Sequence, residues 1–465
     1  MYGLNVAILT EGCIKAKTVQ YIEADVQSVC ALFRCVLIKI VKKQQTGGFS
    51  VADNLEQLRK ENEVLDIFCN LVSIPSPSLK EDKVISWILD FCKENNIFAK
   101  CDDYGNVYIH VPATDPNKEP IMLSSHMDVV GDDSIVNIYL DDDGFIHAMD
   151  RTLGADDKVG VACALMLAKD LLNNAYPLHG GLEITFTRDE ETGMSGIEHV
   201  EFDKILSKYV LVCDADKLGQ LQISGASYTN VKITVRGLKG GHSGIDIGDE
   251  TRLNAAKLLA ELIAEFPQGV FYKDETGVIT SCNLGAMVAG GIQNSVASIV
   301  EKGVKTNDYI TEIMKKTSTN IINVLGMASY SIRSASVARE EALKTLMASI
   351  VVKFNQKYEG LAEAKIEFEV HLPPFERAED DRIERVHTAA CKRAGIENDI
   401  SSFHAGAETH IYCQHQNSKG ETFMPMLLGL ADVYNMHSAN EKVDYKTLLK
   451  GYEVIKNTFK VFNEG

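Results

Sequence analysis

The sequence predicts an α/β fold: a mostly parallel, mixed sheet flanked by helices and interrupted by an α+β insertion. Three observations carry this expectation. Short apolar runs alternate with helix-spaced segments over residues 54–213, the pattern of a largely parallel sheet. The texture changes near Tyr228, where Val231, Ile233 and Val235 alternate with Lys232 and Thr234, as in a strand with one solvated face. A chain of 465 residues also exceeds what one ordinary core accommodates, so two domains are expected.

Taken in order, residues 1–50 form an N-terminal extension that ends in the basic, glycine-containing stretch 42–48; it reads as a linker, and no function is assigned to it. Residues 51–224 give the first part of the main domain, 225–373 the insertion and 374–465 the second part of the main domain. Residues 55–72 have helical spacing, which Ile74-Pro75-Ser76-Pro77 ends, because proline cannot continue a helix. A second helix is expected at 87–95 and a third at 158–172. The apolar runs 107–109, 121–123, 182–187 and 209–213 are expected strands. In the insertion, Leu259, Leu262, Ile263 and Phe266 have helical spacing, as do residues 340–354, while 277–282, 329–334 and 364–370 read as strands. One antiparallel sheet with two helices on one face accounts for them. Residues 302–319 look like a polar helical insertion, and Pro373-Pro374 marks the exit. A helix at 381–394 and the segment around His437 then return to the first domain.

Composition narrows the function. A formal net charge of −18 argues against a nucleic-acid or anionic-membrane partner, since a phosphate-binding surface needs a basic excess. Eleven cysteines occur without CxxC pairs, and reduced thiols in a cytoplasmic protein are the simplest reading. No stretch approaches the ~20 apolar residues of a membrane span. Glu11 and Lys15 interrupt the first apolar run, so no signal peptide is expected.

Five short stretches carry the chemistry: Ser125-His126-Met127-Asp128, Gly154-Ala155-Asp156-Asp157-Lys158, Asp189-Glu190-Glu191-Thr192-Gly193, Cys213-Asp214-Ala215-Asp216 and Met436-His437-Ser438. Singly, Asp214 reads as a strand-end cap and Glu190-Glu191 as a solvated pair. Together they stand where ligands collect in parallel sheets, beyond the carboxyl ends of strands. Two histidines and three acidic groups hold two divalent cations if one carboxylate bridges them, and ions about 3.5–4 Å apart acidify a shared water. The reaction also needs a carboxylate that is not a ligand, to carry the proton; the adjacent pair Glu190-Glu191 supplies both roles. Asp128, two residues from His126, is placed to orient its imidazole.

In order and local wording, residues 54–460 resemble the M20 metallopeptidases. Within them, Leu153-Gly154-Ala155-Asp156-Asp157-Lys158, Gly240-Gly241-His242-Ser243-Gly244 and His404-Ala405-Gly406-Ala407-Glu408 look like aminoacyl-histidine dipeptidases, with peptidase T a near relative. The resemblance implies that His126, Asp156 and Asp214 bind one metal, and His437, Asp156 and Glu191 the other. Asp156 is then the bridge and Glu190 the general base. His242 matches a histidine that relatives bring from a partner subunit, Asn294 and Arg333 match positions of a lid that contact the substrate, and His404 and Glu408 line the substrate site. Glu408 would meet an amino terminus. The chain departs from the dipeptidase pattern between Val300 and Ile322. The implied protein is a cytoplasmic dipeptidase of Xaa-His or broad specificity, with two zinc ions (manganese or cobalt being the alternatives) and homodimeric through its lid. A tripeptidase or N-acyl-amino-acid deacylase is the alternative on the same scaffold, and a non-catalytic binding homologue is disfavoured because all six metal and base positions are present.

Overall fold

A computed structural model describes residues 51–173, 176, 178–290 and 319–464. The extension 1–50, Asn294 and all but the end of the expected helix 302–319 lie outside the described residues. Helix Val51–Glu61 is followed by helix Glu63–Val72, so the expected continuous helix 55–72 is broken at Asn62. That residue has extended backbone, φ −136° and ψ 97°, the conformation of a helix N-cap, a position asparagine favours. From Leu58 onward the chain forms one compact unit.

An eight-stranded sheet runs in the order Phe98–Cys101, Val107–Val111, Leu182–Thr187, Ile121–His126, Tyr209–Ala215, Met424–Gly429, Gln220–Gly225, Asp399–Phe403. The four strands from Leu182–Thr187 to Met424–Gly429 are mutually parallel, and antiparallel pairings flank them. All six residues of Ile121–His126 are buried, as expected of a parallel strand covered on both faces. Helix Ala155–Asn173 packs against this strand and Tyr209–Ala215. Its small buried residues Ala162, Cys163, Ala164 and Ala168 suit a helix that is apolar all round and enclosed. On the other face Ile197, Val200, Phe202, Tyr412 and Phe423 pack on Met122, Val210 and Val212.

Residues of the insertion form a five-stranded antiparallel sheet, in the order Gly269–Lys273, Ile279–Gly290, Leu325–Ser334, Tyr228–Arg236, Glu363–Leu372. Along Tyr228–Arg236 buried and half-exposed residues alternate. Val231, Ile233 and Val235 share one core with Leu258, Leu259 and Leu262 of helix Ala255–Ala264 and with Leu343 and Met347 of helix Val337–Lys357. The strand expected at 277–282 starts later, at Ile279, because the Asp274 carboxylate collects the N–H groups of Thr276 and Val278 in a turn.

A third, four-stranded sheet joins Val433–Tyr434, Lys442–Asp444, Phe145–Ala148 and Ile138–Leu140. Its first two strands form a hairpin with His437 in the connection. Among the described residues no helix is long and apolar enough to cross a membrane, and each cysteine is free.

Candidate metal centre

Three neighbouring parallel strands aim ligand-type residues at one edge of the large sheet. His126 ends the middle strand, opposite Thr187 on one side. On the other side the register that pairs Ser124 with Val212 runs on to place Asp214 beside it. Glu190 and Glu191 follow Leu182–Thr187 after a tight turn at Asp189, whose φ is 55°. Asp156 comes from the start of helix Ala155–Asn173 and His437 from the hairpin of the small sheet.

Asp156 stands between the two histidines. Its Oδ1 lies 3.1 Å from His126 Nε2 and its Oδ2 lies 3.1 Å from His437 Nε2. Asp214 Oδ1 is 3.6 Å from His126 Nε2, and Glu191 Oε2 is 3.2 Å from His437 Nε2. The peptide between Asp156 and Asp157 is cis. The Asp157 side chain is buried, and its Oδ1 accepts the N–H of Gly160 at 3.1 Å.

Asp128 ties two of these elements together. One of its carboxylate oxygens lies 3.3 Å from His126 Nδ1. Its two oxygens also accept the backbone N–H groups of Glu190 and Glu191, at 3.0 and 3.1 Å, and Ser78 Oγ donates to it at 2.7 Å. Burial alone would raise the Asp128 pKa, but these donors hold it down at about 2. The same contacts turn His126 Nδ1 away from the centre, leaving Nε2 as the one ring nitrogen that faces it.

The remaining acids pay electrostatically for being together. Burial, then the charges of Glu408 and Glu191 against the opposing pull of His126, pushes the Glu190 pKa up to about 8. Burial and the Asp156 charge push Glu191 up to about 7, and Asp214 is raised by the same two causes. The Asp156 hydrogen bond raises His437 to about 9.

This donor set fits divalent cations. Convergent buried carboxylates repel one another until positive charge arrives, and Glu191 Oε1 is buried without a hydrogen-bond partner. Three trios have donor atoms within 4.8 Å of one another: His126, Asp156 and Asp214; Asp156, Glu191 and His437; and His126, Glu190 and Glu191. His126 has a single nitrogen facing the centre, so it serves one ion. The first two trios use His126, Asp214, Glu191 and His437 once each, share Asp156, and leave Glu190 uncommitted.

The other expected residues fall into three groups. Arg333 and His404 lie together where the insertion's sheet meets the loop after Phe403. The Arg333 guanidinium is 4.8 Å from the Tyr228 ring centre, and Ser281, its cross-strand partner, contacts His404 Nε2 at 2.8 Å. Burial and then the Arg333 charge lower the His404 pKa. Glu408 is 1% exposed. Ser124 Oγ donates to its Oε2 at 3.3 Å, while its Oε1 has no partner.

His242 is exposed on the insertion, at the end of the short strand Gly241–His242 just before a turn; Gly241 has φ +143°, and a Cβ there would come 2.8 Å from the Asp246 carboxylate. Its Nδ1 accepts the N–H groups of Gly244 and Ile245. A neutral ring therefore carries its proton on Nε2, pointing away from the turn. Sequence reasoning missed Glu441, whose buried carboxylate grips the start of helix Ala155–Asn173. As one acidic residue beside an asparagine, it gave no signal distinguishing it from a solvated surface group.

The sequence profile of peptidase family M20/M25/M40 matches residues 122–460. The cytosol non-specific dipeptidase of Escherichia coli (strain K12) is 31% identical over 229 residues, covering 43% of this chain and 46% of that enzyme; the chain thus spans less than half the length of that relative. Peptidase T of Listeria monocytogenes serotype 4b (strain CLIP80459) is 25% identical over 401 residues, 85% of each chain. Among solved structures, the aminopeptidase PepT from Bacillus cereus ATCC 10987 superimposes with a TM-score of 0.70 at 23% identity, covering 86% of this chain and 98% of that one, which bears on the fold. Since the profile spans most of the sequence and every residue of the carboxylate–histidine cluster, this chain belongs to peptidase family M20/M25/M40.

Proposed function

We propose that the chain is a cytoplasmic two-metal dipeptidase, of Xaa-His or broad specificity, with zinc as its metal. The observation that carries the reading is the shared Asp156 carboxylate between two histidine–carboxylate trios, with Glu190 free beside them. When bound, the two ions would acidify a water and polarise the scissile carbonyl. His126, Asp156 and Asp214 would hold one ion and His437, Asp156 and Glu191 the other.

Glu190 takes the proton from the attacking water and delivers it to the leaving amine. Asp128 holds the Glu190 and Glu191 backbones and the His126 ring in fixed relation, so base and ligand keep their spacing through the cycle. Arg333, His404 and Asn294 are assigned to the carboxylate end of the peptide. Glu408 meets an amine directly only if its loop opens, so we assign it to the surroundings of Glu190. The outward Nε2–H of His242 is a donor for the oxyanion, delivered to a second copy's site in a homodimer paired through the insertion.

A panel of dipeptides, tripeptides and N-acyl amino acids, run with zinc, manganese and cobalt on the purified protein, tests the assignment. Dipeptides turned over with the highest kcat/KM support it. Preference for tripeptides or N-acyl amino acids moves the chain to the alternative on the same scaffold, and no turnover of any class with two ions bound contradicts it.

A further inference from the structure

Glu441 accepts three backbone N–H groups in succession. Its Oε2 takes Gly154 N at 2.8 Å, and its Oε1 takes Ala155 N at 2.8 Å and Asp156 N at 3.3 Å. These amides lie in the loop that leads into helix Ala155–Asn173, where the backbone at Asp156 and Asp157 is still non-helical, so their N–H groups depend on the Glu441 carboxylate for partners. The carboxylate is 1% exposed. Its backbone sits four residues after His437, just before strand Lys442–Asp444. One buried side chain thus joins the loop that carries Asp156 to the hairpin that carries His437.

We propose that Glu441 is a positioning residue that sets the geometry of the His437-side metal site. The two sides of the centre are built differently. On the His126 side, His126 and Asp214 are fixed by neighbouring strands of the large sheet. On the other side, His437 is 52% exposed, has φ 59°, and reaches the centre only through Asp156 and Glu191. Its hairpin is anchored by strands of two and three residues. The Asp156 loop also runs close to Val129: Gly154 has φ +78°, and a Cβ there would lie 2.6 Å from Val129 Cγ1. Glu441 is the buried contact that holds loop and hairpin in step. Partners behind metal ligands carry about 10–100-fold of affinity, and here the loss should fall on one ion of the pair.

The inference rests on the two-metal reading above. Apo wild type, Glu441→Ala and Glu441→Gln are titrated with cobalt(II), followed by visible absorption and calorimetry. The Gln variant keeps one acceptor oxygen and the side-chain shape, which guards against a variant that does not fold. Wild type should bind two ions. Glu441→Ala should bind one with near-normal affinity and the second at least about tenfold more weakly, with Glu441→Gln in between. Equal weakening of both ions, as a general helix-cap loss would give, overturns the proposal, as does an unchanged second ion in both variants. Failure of wild type to bind any ion overturns the two-metal reading together with it.

Discussion

His410 offers a test of how the buried layer beneath the site is held. The ring is fully buried, edge-on to Phe375 and Phe403. A Cβ on Gly225 would come 2.6 Å from its Cε1. Its Nε2 lies 3.1 Å from Ala226 O, and its Nδ1 lies 2.9 Å from Ala407 O and 3.2 Å from Ala407 N. A neutral ring donates to one of the two carbonyls only, but a charged ring would be enclosed by aromatic and backbone atoms. Burial therefore lowers its pKa from 6.5 to about 4, against backbone carbonyls that favour the charged form.

Folded, His410 binds its proton more weakly than unfolded. Its contribution to stability is complete above pH 6.5 and is lost as the pH falls toward about 4. At ~1.4 kcal/mol for each tenfold change in proton affinity, the loss amounts to about 3 kcal/mol. The perturbation is His410→Gln, which can donate to Ala226 O and accept from Ala407 N but does not titrate. Urea midpoints of both proteins are measured from about pH 7 to about pH 4.5, over which the difference should develop. Carboxylates and the other buried histidines titrate alike in both, so the comparison isolates His410. The wild-type midpoint should fall more steeply than the variant's below pH 6.5. Parallel curves would refute the claim that burial suppresses this proton.

Three further outcomes are expected. Glu190→Gln should retain its metal by elemental analysis and lose activity on the order of 10²-fold or more; near-normal turnover would remove Glu190 from the mechanism. Asp156→Ala should lose metal and activity together. Asp157→Ala should keep both ions and lose only about 1 kcal/mol with the Gly160 contact, and the reverse pattern would shift the bridging role to Asp157. Mixing His242→Ala with Glu190→Gln subunits should restore one working site per heterodimer, and a fully active monomer by light scattering would contradict action across subunits.

Much of the catalytic layer was legible because parallel strands covered on both faces become short apolar runs. Residues 182–187 match the observed strand, and residues 121–123 and 209–213 lie inside the observed ones. The residues placed just beyond them are the ones the fold gathers. Strand Met424–Gly429 was hidden by Pro425 and Gly429, which normally argue against a central strand. Gln220–Gly225 and Asp399–Phe403 were hidden by their polar residues. The small sheet was invisible because its strands are two to four residues long, too short for any periodicity to register. Glu441 was missed for a different reason: its importance lies in three backbone amides far away in sequence. At Asn62 the extended backbone interrupts a helical pattern that spans it, with no side-chain cap hydrogen bond.

The central claim is a pair of ions sharing the Asp156 carboxylate. Its most direct test is anomalous diffraction from crystals of the zinc-loaded protein, with data on both sides of the absorption edge. The account expects two peaks per chain, about 3.5–4 Å apart, one beside His126 and Asp214 and the other beside His437 and Glu191, with Asp156 touching both. A single peak, no peak, or two ions that do not share Asp156 would contradict it.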